Sequence, residues 1–216
     1  DKKHRKREGR FLAEGLRLLT DARSSGRLPA MLVTATGRDE HPLLTALEND
    51  VSASGGQLVE MDEAVLAKVT GKSNPQAVLG VFEQWDTSLA TIDRNAAPIW
   101  IVAQAIRDPG NLGTMLRTGD AVGAGGLILI DDCADPFSAE AVRASMGAVF
   151  TQAVAQAEWS EFLSWLRGPD GQAGGQLVAA SLQDAVPYRG AEYCAPCFLL
   201  VGNESQGIPP EYEAAC

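Results

Sequence analysis

Apolar positions along the chain come in short blocks whose period switches between helix-like and strand-like, and the order of the switches suggests an architecture. Across residues 9–24, Phe11, Leu12, Leu16, Leu18 and Leu19 fall near a 3.6-residue period, which predicts an amphipathic helix ended by Ser25-Gly26. A strand is expected over 30–35, then a helix over 42–53 with Pro42 in its first turn, and a second strand over 58–61. Asp62 precedes apolar residues at Val65, Leu66 and Val69, a start signal for a helix through 69, and 77–82 gives a third strand. Residues 1–84 therefore read as a small alternating α/β unit.

Residues 84–98 are polar and weakly patterned and end in Ala-Ala-Pro, so 85–98 is expected to be a linker. Beyond it the pattern alternates again. Strands are expected at 99–103, 127–130, near Ala153, at 177–180 and at 198–201, with helices over 111–122, around 138–146 and over 158–166. That alternation predicts a largely parallel sheet with helices on both faces. Gly123 to Gly126 looks like a helix C-cap, and 168–175 is a glycine-rich loop.

Composition narrows the function classes. The chain has 216 residues, 45% of them hydrophobic, and no apolar run near the ~20 residues needed to cross a bilayer. Its basic N-terminus is not followed by an apolar segment, so a secretory signal is not expected and the cytoplasm is the expected location. Cys133, Cys194, Cys197 and Cys216 are too few and too uneven for a disulfide framework. Cys194 and Cys197 have redox spacing, but Cys197 enters a strand instead of opening a helix. With only His4 and His41, neither a zinc site nor a Ser/His/Asp mechanism can be assembled, so no metal is expected. A net charge of -10 argues against nucleic acid, yet Lys2, Lys3, Arg5, Lys6, Arg7 and Arg10 form a basic arm suited to phosphates, or equally a solvated helix end.

Two polar clusters carry the chemistry. Arg107-Asp108-Pro109-Gly110-Asn111-Leu112-Gly113 follows the strand at 99–103, and Gly202-Asn203-Glu204-Ser205-Gln206-Gly207 follows the strand at 198–201. Strand ends are where open α/β sheets bind ligands. In the first cluster Asp-Pro-Gly forms a turn and Asn111 is the expected N-cap. Leu112, Met115, Leu116, Gly119 and Val122 share one helical face, with Arg117 nearly opposite. No Gly-x-Gly-x-x-Gly follows the strand at 99–103, so a dinucleotide site of the ordinary kind is not expected. From the residues alone the reading stops at a two-unit α/β protein that binds an anion at a loop and helix N-terminus.

Asn111-x-Gly113-x-x-x-Arg117-x-x-Asp120-Ala121 resembles motif 1 of the SpoU (TrmH-like) branch of the SPOUT RNA methyltransferases. Arg143-Ala144-Ser145-Met146-Gly147-Ala148 resembles the Arg-Ala-Ser-x-Gly-Ala segment of that branch, and Gly202-Asn203-Glu204-x-x-Gly207-Ile208 its motif 2. The first unit looks like the L30e-like substrate-binding domain of ribosomal RNA members, with Glu14-Gly15 in its opening helix. The resemblance implies an L30e-like domain over 1–84 and, over 99–216, a SPOUT-type trefoil-knot methyltransferase domain. Its third motif, Ile-Pro-Met followed by Ser-Leu-Asn-Val, closes the knot and is expected beyond residue 216, where 211–216 reads as the start of a helix.

The implied activity is 2'-O-ribose methylation of RNA from S-adenosyl-L-methionine, with ribosomal RNA preferred over transfer RNA and a homodimer as the working form. A non-catalytic RNA-binding protein on the same fold is the alternative. The implied catalytic residues are Arg117, Asn111 and Glu204, with Arg117 positioning the hydroxyl and stabilising charge while the other two orient it. Ser181, Leu182, Gly202 and Asn203 are the implied cofactor residues. Arg143, Arg5, Arg7 and Arg10 are the candidates for RNA phosphate.

Overall fold

A computed structural model describes residues 2–168 and 174–216, so most of the glycine-rich stretch at 168–175 lies outside the described residues. The basic arm forms helix α1 (Lys2–Glu8), followed by strand β1 (Arg10–Glu14) and helix α2 (Leu16–Ser24). The single helix expected over 9–24 is thus two elements. Phe11 and Ala13 are buried while Arg10 is exposed, the two-residue alternation of a strand, and β1 pairs antiparallel from Arg10 opposite Glu83 to Glu14 opposite Leu79. Apolar residues at 11, 12, 16 and 19 satisfy a helical count, and a partner strand some 70 positions away decides the outcome. Glu14 therefore ends a strand, with Gly15 at the junction and not inside a helix.

The first unit continues with β2 (Met31–Ala35), α3 (Pro42–Ala53), β3 (Gln57–Met61), α4 (Glu63–Thr70) and β4 (Val78–Glu83). Helix α3 begins at Pro42 as its sequence predicts, behind His41, whose ring nitrogen accepts from the Leu43 N–H at 3.2 Å. Asp62 stands at the N-cap of α4, although its side chain makes no capping bond. The sheet order is β1-β4-β2-β3, antiparallel except for β2 with β3.

The second unit holds β5 (Ile99–Gln104), α5 (Pro109–Ala121), β6 (Gly126–Ile130), α6 (Ala139–Ala144), α7 (Ala148–Thr151), β7 (Ala153–Ala157), α8 (Trp159–Arg167), β8 (Gln176–Ala179), β9 (Cys197–Val201) and α9 (Pro210–Glu213). Its five strands are all parallel in the order β7-β6-β5-β9-β8. Successive side chains serve opposite faces. Ala103, Leu127, Leu129 and Val154 pack with Leu112 and Leu116 of α5, and Trp100, Val102, Ile128, Phe198 and Leu200 pack with Phe162 and Leu166 of α8. Gly113 lets α5 and α6 meet, since a Cβ there would lie 2.5 Å from the Ala141 carbonyl oxygen.

The first of these cores continues into the first unit through five aromatic rings. Phe11 lies 5.4 Å from Phe82 and 4.9 Å from Phe137, Phe82 lies 4.8 Å from Phe150, and Trp85 meets Phe137 edge-on at 4.9 Å. Trp85 belongs to the segment between the sheets, as does Ile92, which is buried with the second core. Arg5 of α1 crosses to Asp135 of the second unit at 2.8 Å, with both side chains mostly buried. An apolar junction of this kind opposes the relative motion that a thin polar interface permits.

No described helix is long and apolar enough to cross a membrane. Among the described residues no group of three or more His, Cys, Asp or Glu is placed to hold a metal ion. All four cysteines are free. Because Phe11 is 1% exposed and touches rings from both units, Phe11→Ala is expected to cost about 3–5 kcal/mol, read as a lowered urea midpoint. A loss below about 1 kcal/mol would show that the junction contributes little to stability.

Candidate active site

In the second sheet the chain runs outward from β5 to β6 and β7, then returns on the other side of β5 to build β8 and β9. The order reverses between β5 and β9, and such a switch point opens a crevice beyond the carboxyl ends of the two strands. Both polar clusters emerge there. Ala103 pairs with Val201, so the loops after Gln104 and Val201 start side by side although almost 100 positions separate them.

Two asparagines join these loops. The Asn203 side-chain amide donates to the Ala105 carbonyl at 2.8 Å, and its Oδ1 accepts the Ser205 and Gln206 N–H groups at 2.9 and 3.2 Å. Its own loop is thereby folded and fastened to the end of β5. Gly202 lies against the returning chain, where a Cβ would sit 2.4 Å from the Gly207 carbonyl carbon. Asn111 donates its side-chain amide to a Glu204 carboxylate oxygen at 2.5 Å. The helix N-cap is Asp108, not Asn111, because the Asp108 carboxylate accepts the Asn111 N–H at 2.7 Å. With Asp108 as the cap, Asn111 lies in the first turn of α5, and its amide meets Glu204 from there.

Arg117 lies six residues further along α5, about 9 Å along the axis at 1.5 Å per residue. It is exposed, and among the described residues it makes no hydrogen bond or ion pair. The structure thus brings together Asn111, Glu204, Asn203 and Gly202 and leaves Arg117 apart on the open flank of its helix. Ser181 and Leu182 follow β8 at the same end of the sheet. The Ser181 hydroxyl donates to the Glu213 carboxylate and accepts the Gln183 N–H at 3.1 Å, whereas Leu182 is 98% exposed.

The candidate phosphate contacts have diverse surroundings. Arg5 is tied to Asp135, Arg7 to Glu8 at 2.8 Å, and Arg10 approaches Glu83 at 3.9 Å. Arg143 is exposed with no hydrogen bond or ion pair among the described residues.

A further group at this end of the sheet escapes sequence reasoning. Asp131, just past β6, has φ 61°, a left-handed conformation uncommon outside glycine and enriched at functional sites. Its carboxylate accepts the Trp159 N–H at 3.2 Å, the Tyr212 hydroxyl at 2.8 Å and the Gln104 amide at 3.3 Å. Tyr212 in turn stacks on Trp159 with centroids 3.9 Å apart. The one signal in the sequence is an Asp-Asp pair after an apolar strand. This cluster moors α9 across the strand ends, so the chain leaving β9 is held at the crevice.

Comparisons with known proteins agree with this geometry. Residues 98–216 match the family model described as the SpoU rRNA Methylase family, and residues 1–80 match the MRM3-like substrate binding domain. The chain belongs to the SpoU rRNA methylase family. Among its relatives is the 23S rRNA (guanosine(2553)-2'-O)-methyltransferase RlmP of Bacillus subtilis, 30% identical over 208 residues, which span 96% of this chain and 77% of that protein. The human mitochondrial rRNA methyltransferase 3 is 29% identical over 167 residues, covering 75% of this chain and 39% of its own. An AdoMet-bound rRNA methyltransferase from Sinorhizobium meliloti superposes with a TM-score of 0.88 at 40% identity, over 99% of this chain and 78% of that one. The SpoU fold carried by these relatives is the parallel-sheet architecture described above, with its own smaller sheet in front.

Burial and the Asp131 carboxylate push the Tyr212 phenol up to about 12 from an ordinary 10. The folded chain holds that proton more tightly than the unfolded chain, so the contribution is complete below pH 10 and is lost as the pH rises through about 12. Tyr212→Phe is therefore expected to be less stable than the parent below pH 10, with the difference shrinking through that window in urea titrations. A difference that does not vary with pH would remove Tyr212 as the anchor of α9.

Proposed function

We propose that this SpoU family member transfers a methyl group from S-adenosyl-L-methionine to a ribose 2'-hydroxyl of ribosomal RNA. The observation that carries the reading is the Asn111–Glu204 pair at the β5/β9 switch point, in a chain whose 30% identical relative is a 23S rRNA 2'-O-methyltransferase. The 40% identical neighbour was solved with AdoMet bound.

The residues beyond β8 and β9 suit such a donor. Leu182 offers an uncovered apolar side chain beside the strand-end backbone, a surface that a flat heteroaromatic ring can cover. Backbone groups at Ser181, Leu182, Gly202 and Asn203 would hold the donor there. When bound, it supplies a methyl carbon on a positively charged sulfur that departs as a neutral thioether, so the leaving group needs no general acid. This agrees with a chain that has only two histidines.

The chain itself must orient a weakly acidic hydroxyl and draw off its proton as the new bond forms. Glu204 spends one carboxylate oxygen on Asn111, which fixes the group and leaves its second oxygen for the ribose hydroxyl. Arg117 positions the adjoining phosphate and stabilises developing charge. Because Arg117 stands six residues along α5 from Asn111 and has no partner among the described residues, it is suited to a site completed by a second copy of the chain. The homodimer is part of the same reading, as are a cytoplasmic location and the assignment of 1–84 to substrate binding and 99–216 to methyl transfer.

Methyl transfer to a 23S ribosomal RNA transcript from labelled donor tests the proposal, with product digestion to locate the methyl group on a ribose oxygen. Glu204→Gln is expected to lower kcat by about 100-fold or more and to leave donor affinity unchanged. Arg117→Lys is expected to lose activity by at least about tenfold, since an ammonium cannot make the planar two-pronged contact of a guanidinium. Full activity in Arg117→Lys would remove that contact, and absence of transfer by the parent chain would overturn the function.

A further inference from the structure

Between the two units runs a cleft that neither the Asn111–Glu204 site nor the donor loops use. It holds two adjoining cavities of about 180 and 210 Å³ that share Glu14, Leu18, Gln76 and Arg143 as lining. Each is several times the roughly 30 Å³ that a water molecule occupies in the liquid. The inner one has an apolar floor from both units, Leu12 and Leu18 on one side and Val142 on the other, with the Gln76 amide at its edge. The outer one opens between Arg17 of α2 and Arg143 of α6.

The charges around this cleft are informative because the chain as a whole is at -10. Glu14 is neutralised by Lys72 at 2.6 Å. Arg17 and Arg143 are both exposed and make no hydrogen bond or ion pair among the described residues, and Asp21 is the remaining acid that lines the mouth. Two arginines from different units thus face one cavity whose carboxylates are Glu14, paired with Lys72, and Asp21. Beside them Met146 is held at φ 51° with its side chain 53% exposed on the outer cavity. A left-handed methionine costs on the order of 1–3 kcal/mol, and strain of that kind persists where the surroundings enforce it.

We propose that this cleft seats one unstacked nucleotide of the RNA substrate, its base on the apolar floor against Gln76 and its phosphate between Arg17 and Arg143. Such a seat joins the chemistry of single-strand recognition, a face for the base and cations for the backbone, to a place that only the packed pair of units creates. It rests on the RNA-methyltransferase reading for the nature of its ligand. Its lining shares no residue with the strand-end crevice, so it serves as an anchor for a nucleotide other than the reacting one.

The test is equilibrium binding of the full chain to a 23S ribosomal RNA transcript across a salt series, with donor affinity measured in parallel as a check on folding. Arg17→Ala and Arg143→Ala are each expected to weaken binding about tenfold, and the double variant hardly further, because both contact the same phosphate. The slope of log K against log salt should fall by about 0.7 in all three, the amount for one single-strand phosphate. Ala139→Phe, which fills the inner cavity from an exposed position on its lining, is expected to weaken binding about tenfold with the slope unchanged.

Multiplying losses with a doubled change in slope would mean two separate phosphate contacts and would overturn the shared seat. Unchanged binding in all four variants, with the parent binding and methylating the transcript, would overturn the seat and leave the proposed function standing. Binding by the parent without methyl transfer would overturn the function, and the variants would still decide the seat. A parent chain that binds no RNA overturns both.

Discussion

Everything at the crevice depends on the parallel pairing of β5 with β9. Parallel neighbours cannot be joined by a tight turn, and here the connection includes two further strands on one side and a third on the other. The register that sets Ala103 opposite Val201 starts two loops at the same height. Asn203 then converts proximity into geometry by donating to the Ala105 carbonyl while accepting from its own loop. One buried-edge amide thus satisfies backbone groups on both sides of the switch point, where an unpaired carbonyl would cost about 1–3 kcal/mol. Glu204 is placed by that loop, and Asn111 meets it from the first turn of α5, whose cap is Asp108.

The aromatic junction has a parallel role for the cleft. Phe11, Phe82 and Trp85 from one side interlock with Phe137 and Phe150 from the other, and the Arg5–Asp135 pair closes the rim. Ion pairs at a surface contribute little, but this one is sheltered at 21% and 11% side-chain exposure. It also changes the meaning of the basic arm. A run of cations that looks uniform in the sequence becomes a helix with Arg5 turned inward onto Asp135, while Arg17, Arg117 and Arg143 stand exposed on other elements.

Much of the second unit was legible because parallel strands buried on both faces are continuous apolar runs, and 99–103, 127–130 and 198–201 each lie within one residue of a strand end in the structure. The motif residues were singled out by resemblance, and two of them, Asn111 and Glu204, pair directly, while Asn203 fastens its loop to the Ala105 carbonyl. Failures came where a local pattern admits two outcomes. Residues 9–24 satisfy a helical period, but antiparallel pairing with β4 claims the first half. Asp-Pro-Gly-Asn contains two competent N-caps, and only the backbone turn selects Asp108. The pairing of Asp131 with Tyr212 was not legible, since the contact spans 81 positions and the Asp-Asp pair after β6 says nothing of its partner.

The isolation of Arg117 follows from the same helix that places Asn111. On α5 the face toward the sheet is fixed by Leu112, Gly113, Leu116 and Gly119, all buried, and a residue at 117 must then project to the open side. The capping interaction at Asp108 and the close crossing of α5 and α6 at Gly113 leave the helix little freedom to rotate. An arginine required near Asn111 in its own chain would sit one turn along, at 114 or 115, where the structure has an exposed threonine and a half-buried methionine. Position 117 is instead suited to reaching outward. The rigidity that makes Asn111 and Glu204 a fixed pair therefore also keeps the Arg117 guanidinium on the open flank of α5, turned away from that pair.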